Sequence, residues 1–294
     1  VGAQLLTCPA GLCDTQHCDP SSGECVVTHM SPDGTSCGVL DACDVAGVCE
    51  GGLCTGASEL SCDDADACTI DLCEPELGLC EHTPVLCAPD PASPCAQPTC
   101  SASEGCELAN DETCTEESLL WYTSFPCNEG EAWSWVDPSN NSPSFALNAE
   151  APAAGTLSAD CHAQIKVSAE QVAVNSPWTS KIVSGAVDVP DEVTGPLRVR
   201  FWHAWEWEGG ESYQSVERRL QVLDESMQVI ESHPLAHLAT DWGTWQQVEL
   251  ELTKATGSFH LAFALTSKPA NALLGCSWTI DHVVVFSAGA SPSE

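Results

Sequence analysis

The sequence predicts a mainly β protein, in which small disulfide-stapled repeats precede an antiparallel jelly-roll β-sandwich. Three observations carry that expectation. Cysteines recur at a near-constant period over the first third of the chain, apolar residues alternate with period two over the rest, and no long helical periodicity competes.

Composition divides the chain near residue 116. There are 294 residues, with 43 acidic and 8 basic side chains and a formal net charge of -35. All eight basic residues follow position 165, while 17 of the 20 cysteines lie in residues 8–114 and nine of the 10 tryptophans at or beyond 133. We therefore expect a cysteine-rich array over 1–116, a sandwich over 117–288 and a short tail over 289–294. The charge excludes direct nucleic-acid binding, which needs clustered Lys and Arg, and disfavours anionic membrane surfaces. No stretch approaches the roughly eighteen apolar residues of a membrane span. Cysteine usage of this density points to an oxidising, extracellular or cell-surface location, with an export signal removed ahead of Val1.

Within the array the cysteines sort into four groups of four: Cys8, Cys13, Cys18, Cys25; Cys37, Cys43, Cys49, Cys54; Cys62, Cys68, Cys73, Cys80; and Cys87, Cys95, Cys100, Cys106. Units this short bury too little to offset their chain entropy, so covalent staples replace the core. Two bridges per unit, each contributing roughly 2–4 kcal/mol, would hold such a fold. Zinc is disfavoured because no two cysteines are separated by two residues. Which cysteines pair is left open, since four cysteines allow three connectivities.

The third unit, Cys62-Asp63-Asp64-Ala65-Asp66-Ala67-Cys68-Thr69-Ile70-Asp71-Leu72-Cys73 followed by Gly78-x-Cys80-x-His82-x-Pro84, resembles the slime-mould CTDC cysteine-rich repeat. The resemblance implies an extracellular spacer or matrix role and no known chemistry. Asp63, Asp64, Asp66 and Asp71 also suggest a calcium loop, because hard cations take clustered oxygens. The EF-hand pattern is not met, and a solvated acidic turn is the plainer reading.

Parity raises a further expectation. Seventeen cysteines on one side of the break and three on the other are both odd. If every cysteine is bonded within the chain, at least one bridge crosses, and Cys114 to Cys127 is the nearest candidate. Cys161 and Cys276 are equally legal partners.

In the second region, Leu197, Val199, Phe201, His203, Trp205 and Trp207 form one face of a strand, and Arg198, Arg200, Trp202, Ala204 and Glu206 the other. Residues 248–252 and 259–265 alternate in the same way, and 278–286 is apolar on both faces, as in a covered central strand. Further strands are expected at 119–125, 131–136, 162–168, 179–189, 216–224 and 227–232. About ten short strands separated by turn residues indicate an antiparallel sandwich.

The order Phe125, Glu129-Gly130, Trp133, Leu197-x-x-x-Phe201-x-His203, Trp245-x-x-Val248, Gly257-x-x-x-Leu261-x-Phe263 and Trp278-Thr279-Ile280-Asp281-His282-Val283-Val284-Val285 resembles the jelly-roll domains of the MAM and galactose-binding-like group. The resemblance implies a structural calcium near the first and last strands, held by Glu129 and Asp281. The second acidic residue of the group's closing motif is His282 in this sequence, a departure that puts the metal in question. A capped polar turn is the alternative.

No nucleophile elbow, zinc-protease helix or phosphate-cradling glycine loop occurs in the sequence, and His233 and His237 are kept off a shared helix by Pro234. Catalysis and an organic cofactor are therefore not expected. Trp205 and Trp207 follow the core parity. Trp202, with Trp242 and Trp245 beside a Gly-Thr turn, are candidates for stacking on a glycan or a protein partner, although partly covered sandwich residues are the commoner case. Asn140-Asn141-Ser142 is a glycosylation sequon.

Together these features predict a non-catalytic extracellular structural or adhesive protein, self-assembling into an oligomer or filament of a fibre, stalk or matrix. A head-to-tail contact of the basic face (Arg198, Arg200, Arg218, Arg219) with the acidic array would propagate such a filament. The alternative is a carbohydrate-binding module on a cysteine-rich spacer, with calcium as the only cofactor.

Overall fold

The computed structural model describes residues 11–39, 41–125, 133–136, 145–148, 161–167, 178–207, 216–235, 244–267 and 276–288. These divide into two compact units. The first comprises Val1–Val85 with Cys100–Cys106, and the second Leu86–Thr99 with Glu107–Glu294. Segments 86–99 and 107–116, which composition groups with the array, thus fold with the sandwich. No helix among the described residues is long and apolar enough to cross a membrane.

The first unit is a chain of short antiparallel hairpins. Strand β1 (Asp14–Cys18) pairs with β2 (Cys25–Met30), and β3 (Ser36–Cys37) with β5 (Gly47–Glu50), which in turn pairs with β6 (Leu53–Thr55). Strand β4 (Asp44–Val45) pairs with β7 (Ser58–Glu59), and β8 (Thr69–Glu74) with β9 (Leu79–Pro84). Strands β10 (Gln97–Ser101) and β11 (Gly105–Ala109) form the last hairpin of the cysteine-rich region. The turn between β8 and β9 requires Gly78, whose φ is +64° and whose added Cβ would lie 2.6 Å from the Ala42 carbonyl.

Sulfur stands where a hydrophobic core would be. Cys13, Cys37 and Cys49 are buried together with Cys54 packed against them, while Leu12, Leu53, Leu72 and Leu77 remain exposed. The connectivity is staggered rather than closed within each group. Cys37 bonds Cys54 and Cys62 bonds Cys80, joining the first and fourth cysteines of a group. Cys13 bonds Cys49, Cys43 bonds Cys73 and Cys68 bonds Cys100, joining the second cysteine of one group to the third of the next. The hairpins explain this pattern. Each sets its third and fourth cysteines side by side, Cys49 opposite Cys54 and Cys73 opposite Cys80. The fourth closes on its own group, and the third reaches back to the group before.

The second unit holds the sandwich. One sheet runs β14 (Phe145–Asn148), β15 (His162–Val167), β23 (Cys276–Ser287), β18 (Leu197–Trp207) and β21 (Trp245–Leu252). Strand β12 (Leu119–Thr123) pairs with Val283–Phe286 of β23, and β15 with Cys276–Ile280. The facing sheet runs β13 (Trp133–Val136), β16 (Thr179–Ser184), β22 (Ser258–Ser267), β19 (Val216–Leu223) and β20 (Val229–Pro234), with β17 (Val187–Asp188) also on β22. The chain alternates between the sheets, as a jelly roll does. Phe201 and Trp278 of the first sheet meet Phe263 of the second edge to face, at ring separations of 5.0 and 6.0 Å.

Two sequence expectations change in detail. The span 179–189 is two strands, because the Ser184 hydroxyl bonds the Gly185 carbonyl and accepts the Leu261 N–H at the break. Strand β14 was not expected: four residues after Pro143 show too little alternation to register as a strand.

Candidate functional site

Two places bring candidate residues together, and the first is the acidic loop of the third repeat. Asp63 accepts the Ala65 N–H at 2.8 Å and Asp66 the Cys68 N–H at 2.9 Å, so both carboxylates brace their own turn. Asp64 accepts the Asp66 N–H and the Thr69 hydroxyl through one oxygen. Its other oxygen lies 3.3 Å from Nδ1 of His82, and an Asp71 oxygen lies 2.8 Å from the same nitrogen. Asp64, Asp71 and His82 thus converge, their ligand atoms within 4.8 Å of one another. The hydrogen bond to Asp71 raises the His82 pKa and holds the Asp71 carboxyl below its ordinary range.

The four expected carboxylates therefore separate into two bracing and two converging groups. His82, which the sequence offered only as a motif residue, completes the trio. It was legible in one respect: cross-strand partners share a face, and Asp71 lies opposite His82. Two carboxylates and an imidazole suit a borderline transition ion better than calcium, which prefers oxygen alone.

The second place is the outer face of the sheet containing β18. Arg198 and Arg200 lie there as expected, but Arg200 is only 3% exposed. Its guanidinium pairs with Asp111, bonds Glu249 through Nε and Nη2 at 3.0 and 2.8 Å, and stacks 4.9 Å from the Phe286 ring centroid. Burial would raise the Asp111 pKa. The Thr113 hydroxyl and N–H, Arg200 and Gln97 outweigh burial and hold that carboxyl well below the carboxylate range. Beside this pair the Cys95–Cys114 bridge packs on Val284 and Phe286.

These contacts correct two expectations. Cys114 is bonded to Cys95, so it makes no bridge to Cys127, and the segment is anchored on the sandwich by an ion pair and packed sulfur instead. The four arginines expected to form one basic face are also divided, Arg198 and Arg200 on β18 of one sheet and Arg218 and Arg219 on β19 of the other. Arg198 and Arg200 pair with Glu249, Arg219 pairs with Glu217, and Arg218 is buried in the core against Trp205. Elementary electrostatics favours this outcome: with 43 carboxylates to 8 cations, Arg198, Arg200 and Arg219 each meet a carboxylate of their own chain.

Further along this face, Trp202 stands half-buried between Gln247 and Asp281 in register. Trp245 is 6% exposed and packs with Ala204 and Trp202. Asp281 is buried and accepts the N–H of His282 at 2.7 Å. His282 sits at a bulge in β23 with φ +50°, which lets Trp278, Ile280, Val283 and Val285 all face the core. Its ring is buried, and Nδ1 lies 3.2 Å from the Tyr122 hydroxyl. Burial pushes the His282 pKa down to about 4, the Arg200 charge adds to the effect, and the Pro94 backbone and Asp90 oppose it. Trp242, Glu129, Cys127 and the Asn140 sequon lie outside the described residues. Two clefts, of about 510 and 560 Å³, open elsewhere in this unit and are lined by no tryptophan.

Comparison with known proteins places the third repeat. Residues 61–85 match the Dictyostelium (slime mold) repeat. The chain is similar to protein psiQ of Dictyostelium discoideum, 30% identical over 144 residues that cover 44% of this chain and 14% of psiQ. It is also similar to protein psiK of the same organism, 34% identical over 74 residues, 24% of this chain and 10% of psiK. The chain thus spans about a seventh or less of the lengths of these relatives.

Among solved structures, the chain is similar to TmCBM61 in complex with β-1,4-galactotriose, at 16% identity and a TM-score of 0.35, covering 53% of this chain and 89% of that one. It is similar to a cleaved adhesin domain of Lys-gingipain from Porphyromonas gingivalis, at 15% identity and 0.37, covering 57% and 98%. It is also similar to the CBM22-1 xylan-binding domain from Paenibacillus barcinonensis, at 10% identity and 0.34, covering 59% and 96%. Likeness at this level says nothing about ligand. The repeat and the bridges together mark an extracellular protein.

Proposed function

We propose that this chain is a non-catalytic structural or adhesive protein of an extracellular surface or matrix, in which the repeats are a covalent spacer and the sandwich is the self-associating contact module. The observation that carries the reading is the staggered bridge pattern. Cys13–Cys49, Cys43–Cys73 and Cys68–Cys100 tie each repeat to the next, so the array cannot open between repeats without breaking a bond. A spacer that transmits load needs that property, and a soluble catalyst does not. Because the arginines are already paired in the chain, association by this reading uses sheet edges such as β20 and β21 rather than a basic face. Light scattering after size exclusion tests it, on oxidised protein, with calcium and then with chelator. A concentration-dependent polymer supports the reading, and loss of the polymer with chelator assigns the carboxylates a part in it. A monomer of about 31 kDa at every concentration overturns self-assembly.

A second reading rests on Trp202, an aromatic face flanked by an amide and a carboxylate, which is sugar-recognition chemistry. In that reading the sandwich binds a glycan across Trp202, with Trp242 as the second platform and calcium at Asp281 as its support. Tryptophan fluorescence unchanged by a glycan panel, with wild type and Trp202→Ala behaving alike, sinks it.

A further inference from the structure

We propose that Cys18 is an open rung of the disulfide ladder, built to take a disulfide from the second cysteine of another cysteine-rich repeat. The argument rests on three equivalent positions within this chain. Cys49, Cys73 and Cys100 are the third cysteines of their groups, and each is bonded to the second cysteine of the group before. Cys18 is the third cysteine of the first group and is in no disulfide.

Its geometry is that of its bonded counterparts. Cys18 lies opposite Cys25 in the β1–β2 hairpin, as Cys49 lies opposite Cys54 and Cys73 opposite Cys80. The Cys18 sulfur sits 3.9 Å from the carbonyl oxygen of the next residue, Asp19. The bonded Cys73 sulfur sits the same 3.9 Å from the carbonyl oxygen of Glu74. Strand register, with a sulfur placement shared with Cys73, thus puts Cys18 where a rung forms. It is half-buried, as Cys73 is, and reachable from outside.

Among the described residues, the second cysteines of the four groups are all used. Cys13, Cys43 and Cys68 are bonded to Cys49, Cys73 and Cys100, and Cys95 is bonded to Cys114. The partner is therefore the second cysteine of another repeat, joined to the same chain or carried by a separate one. The chemistry is oxidative: each thiol loses a proton and one electron, the new S–S bond forms, and a small disulfide oxidant such as oxidised glutathione takes both electrons and is cleaved to two thiols. The inference concerns the spacer's end and does not need the sandwich to self-associate, so a monomeric protein leaves it standing.

The test adds a second copy of residues 31–61 ahead of Val1 in the full chain, folds it in a glutathione redox buffer and maps its disulfides without reduction. The expected result is a link from the added copy of Cys43 to Cys18, with maleimide labelling of Cys18 lost. A link inside one polypeptide identifies a same-chain partner, and a link between two identifies a separate one. Cys18 recovered as a thiol, capped by glutathione, or joined to a second Cys18 overturns the proposal. The unextended chain gives a reading that needs no new repeat to fold. There Cys18 labels in native, unreduced protein while Cys49 and Cys73 do not. Cys18 bonded to Cys8 or to any other cysteine of its own monomer overturns the proposal as well.

Discussion

Acidification should weaken the sandwich through one residue, His282. Its pKa stands near 4 in the folded chain, against 6.5 as the ordinary value. The unfolded chain therefore binds the proton more readily between these limits. For a histidine depressed in this way the stabilising share is complete above pH 6.5 and is lost as pH falls toward 4. Linkage puts the loss at about 2 kcal/mol by pH 5 and about 3 kcal/mol below pH 4. The assay is urea unfolding at pH 7.5 and 5.0, followed by tryptophan fluorescence, since every tryptophan lies in the second unit. His282→Asn is the control, because Asn tolerates the left-handed backbone at this bulge and carries no titrating ring. Wild type should lose about 2 kcal/mol more than the variant between the two pH values. Equal losses in both, or an NMR midpoint for the His282 ring above 6, would refute the burial argument.

Arg200→Met leaves Asp111 and Glu249 facing each other and should cost about 3 kcal/mol; a double-mutant cycle with Asp111→Asn should return a coupling of at least about 1 kcal/mol, and zero coupling would sink the anchor. The Asp111 share of stability is present above its ordinary pKa of 3.8 and is lost as pH falls below it, so Asp111→Asn should flatten the acid limb of the unfolding curve. In the acidic loop, NMR titration of His82 should give a midpoint above 6.5 that Asp71→Asn lowers, and a midpoint unmoved by that variant would deny the pair. Replacing Cys43 and Cys73 together by serine removes a closed loop spanning 30 residues and should cost about 4 kcal/mol in reversible unfolding of the repeat region.

Much of the fold is legible because alternation and cysteine rhythm are local. The face of β18 carrying Val199 and Phe201, and the double-sided burial of β23, follow from period two alone. Even the β23 bulge leaves a trace, in the apolar spacing Trp278-x-Ile280-x-x-Val283-x-Val285. Pairing is not local. Which sulfur meets which depends on each hairpin placing its third cysteine toward the preceding repeat, and spacing alone carries no such direction. The partner of Arg200 was hidden for the same reason: Asp111 is one carboxylate among 43, and 89 residues separate the pair. The acidic loop stands between these cases, since Asp64 and Asp71 follow from the motif, whereas His82 joins them only once the β8–β9 register is known.

The strongly acidic composition and the ladder are two sides of one solution. Residues 1–116 carry 21 carboxylates and no Lys or Arg, so charge repulsion opposes compaction throughout the array. A hydrophobic core would resist that repulsion, but Leu12, Leu53, Leu72 and Leu77 are exposed and the side chains clustered in the interior are those of cysteines. Bridges are insensitive to charge, and each loop they close removes entropy from the unfolded chain. Joining neighbours rather than closing each unit extends that restraint along the array, whatever the salt. The sandwich follows the opposite rule. It has a core, so it can bury an arginine on its outer face, and Arg200 holds Asp111 there beside the Cys95–Cys114 bridge. The last rung is therefore secured by charge and sulfur together, and that is why Arg200→Met should loosen residues 107–118 before the sheets themselves unfold. Amide exchange in that segment, faster in the variant while β18 and β23 stay protected, is the outcome this reasoning requires; uniform protection loss across the sandwich would contradict it.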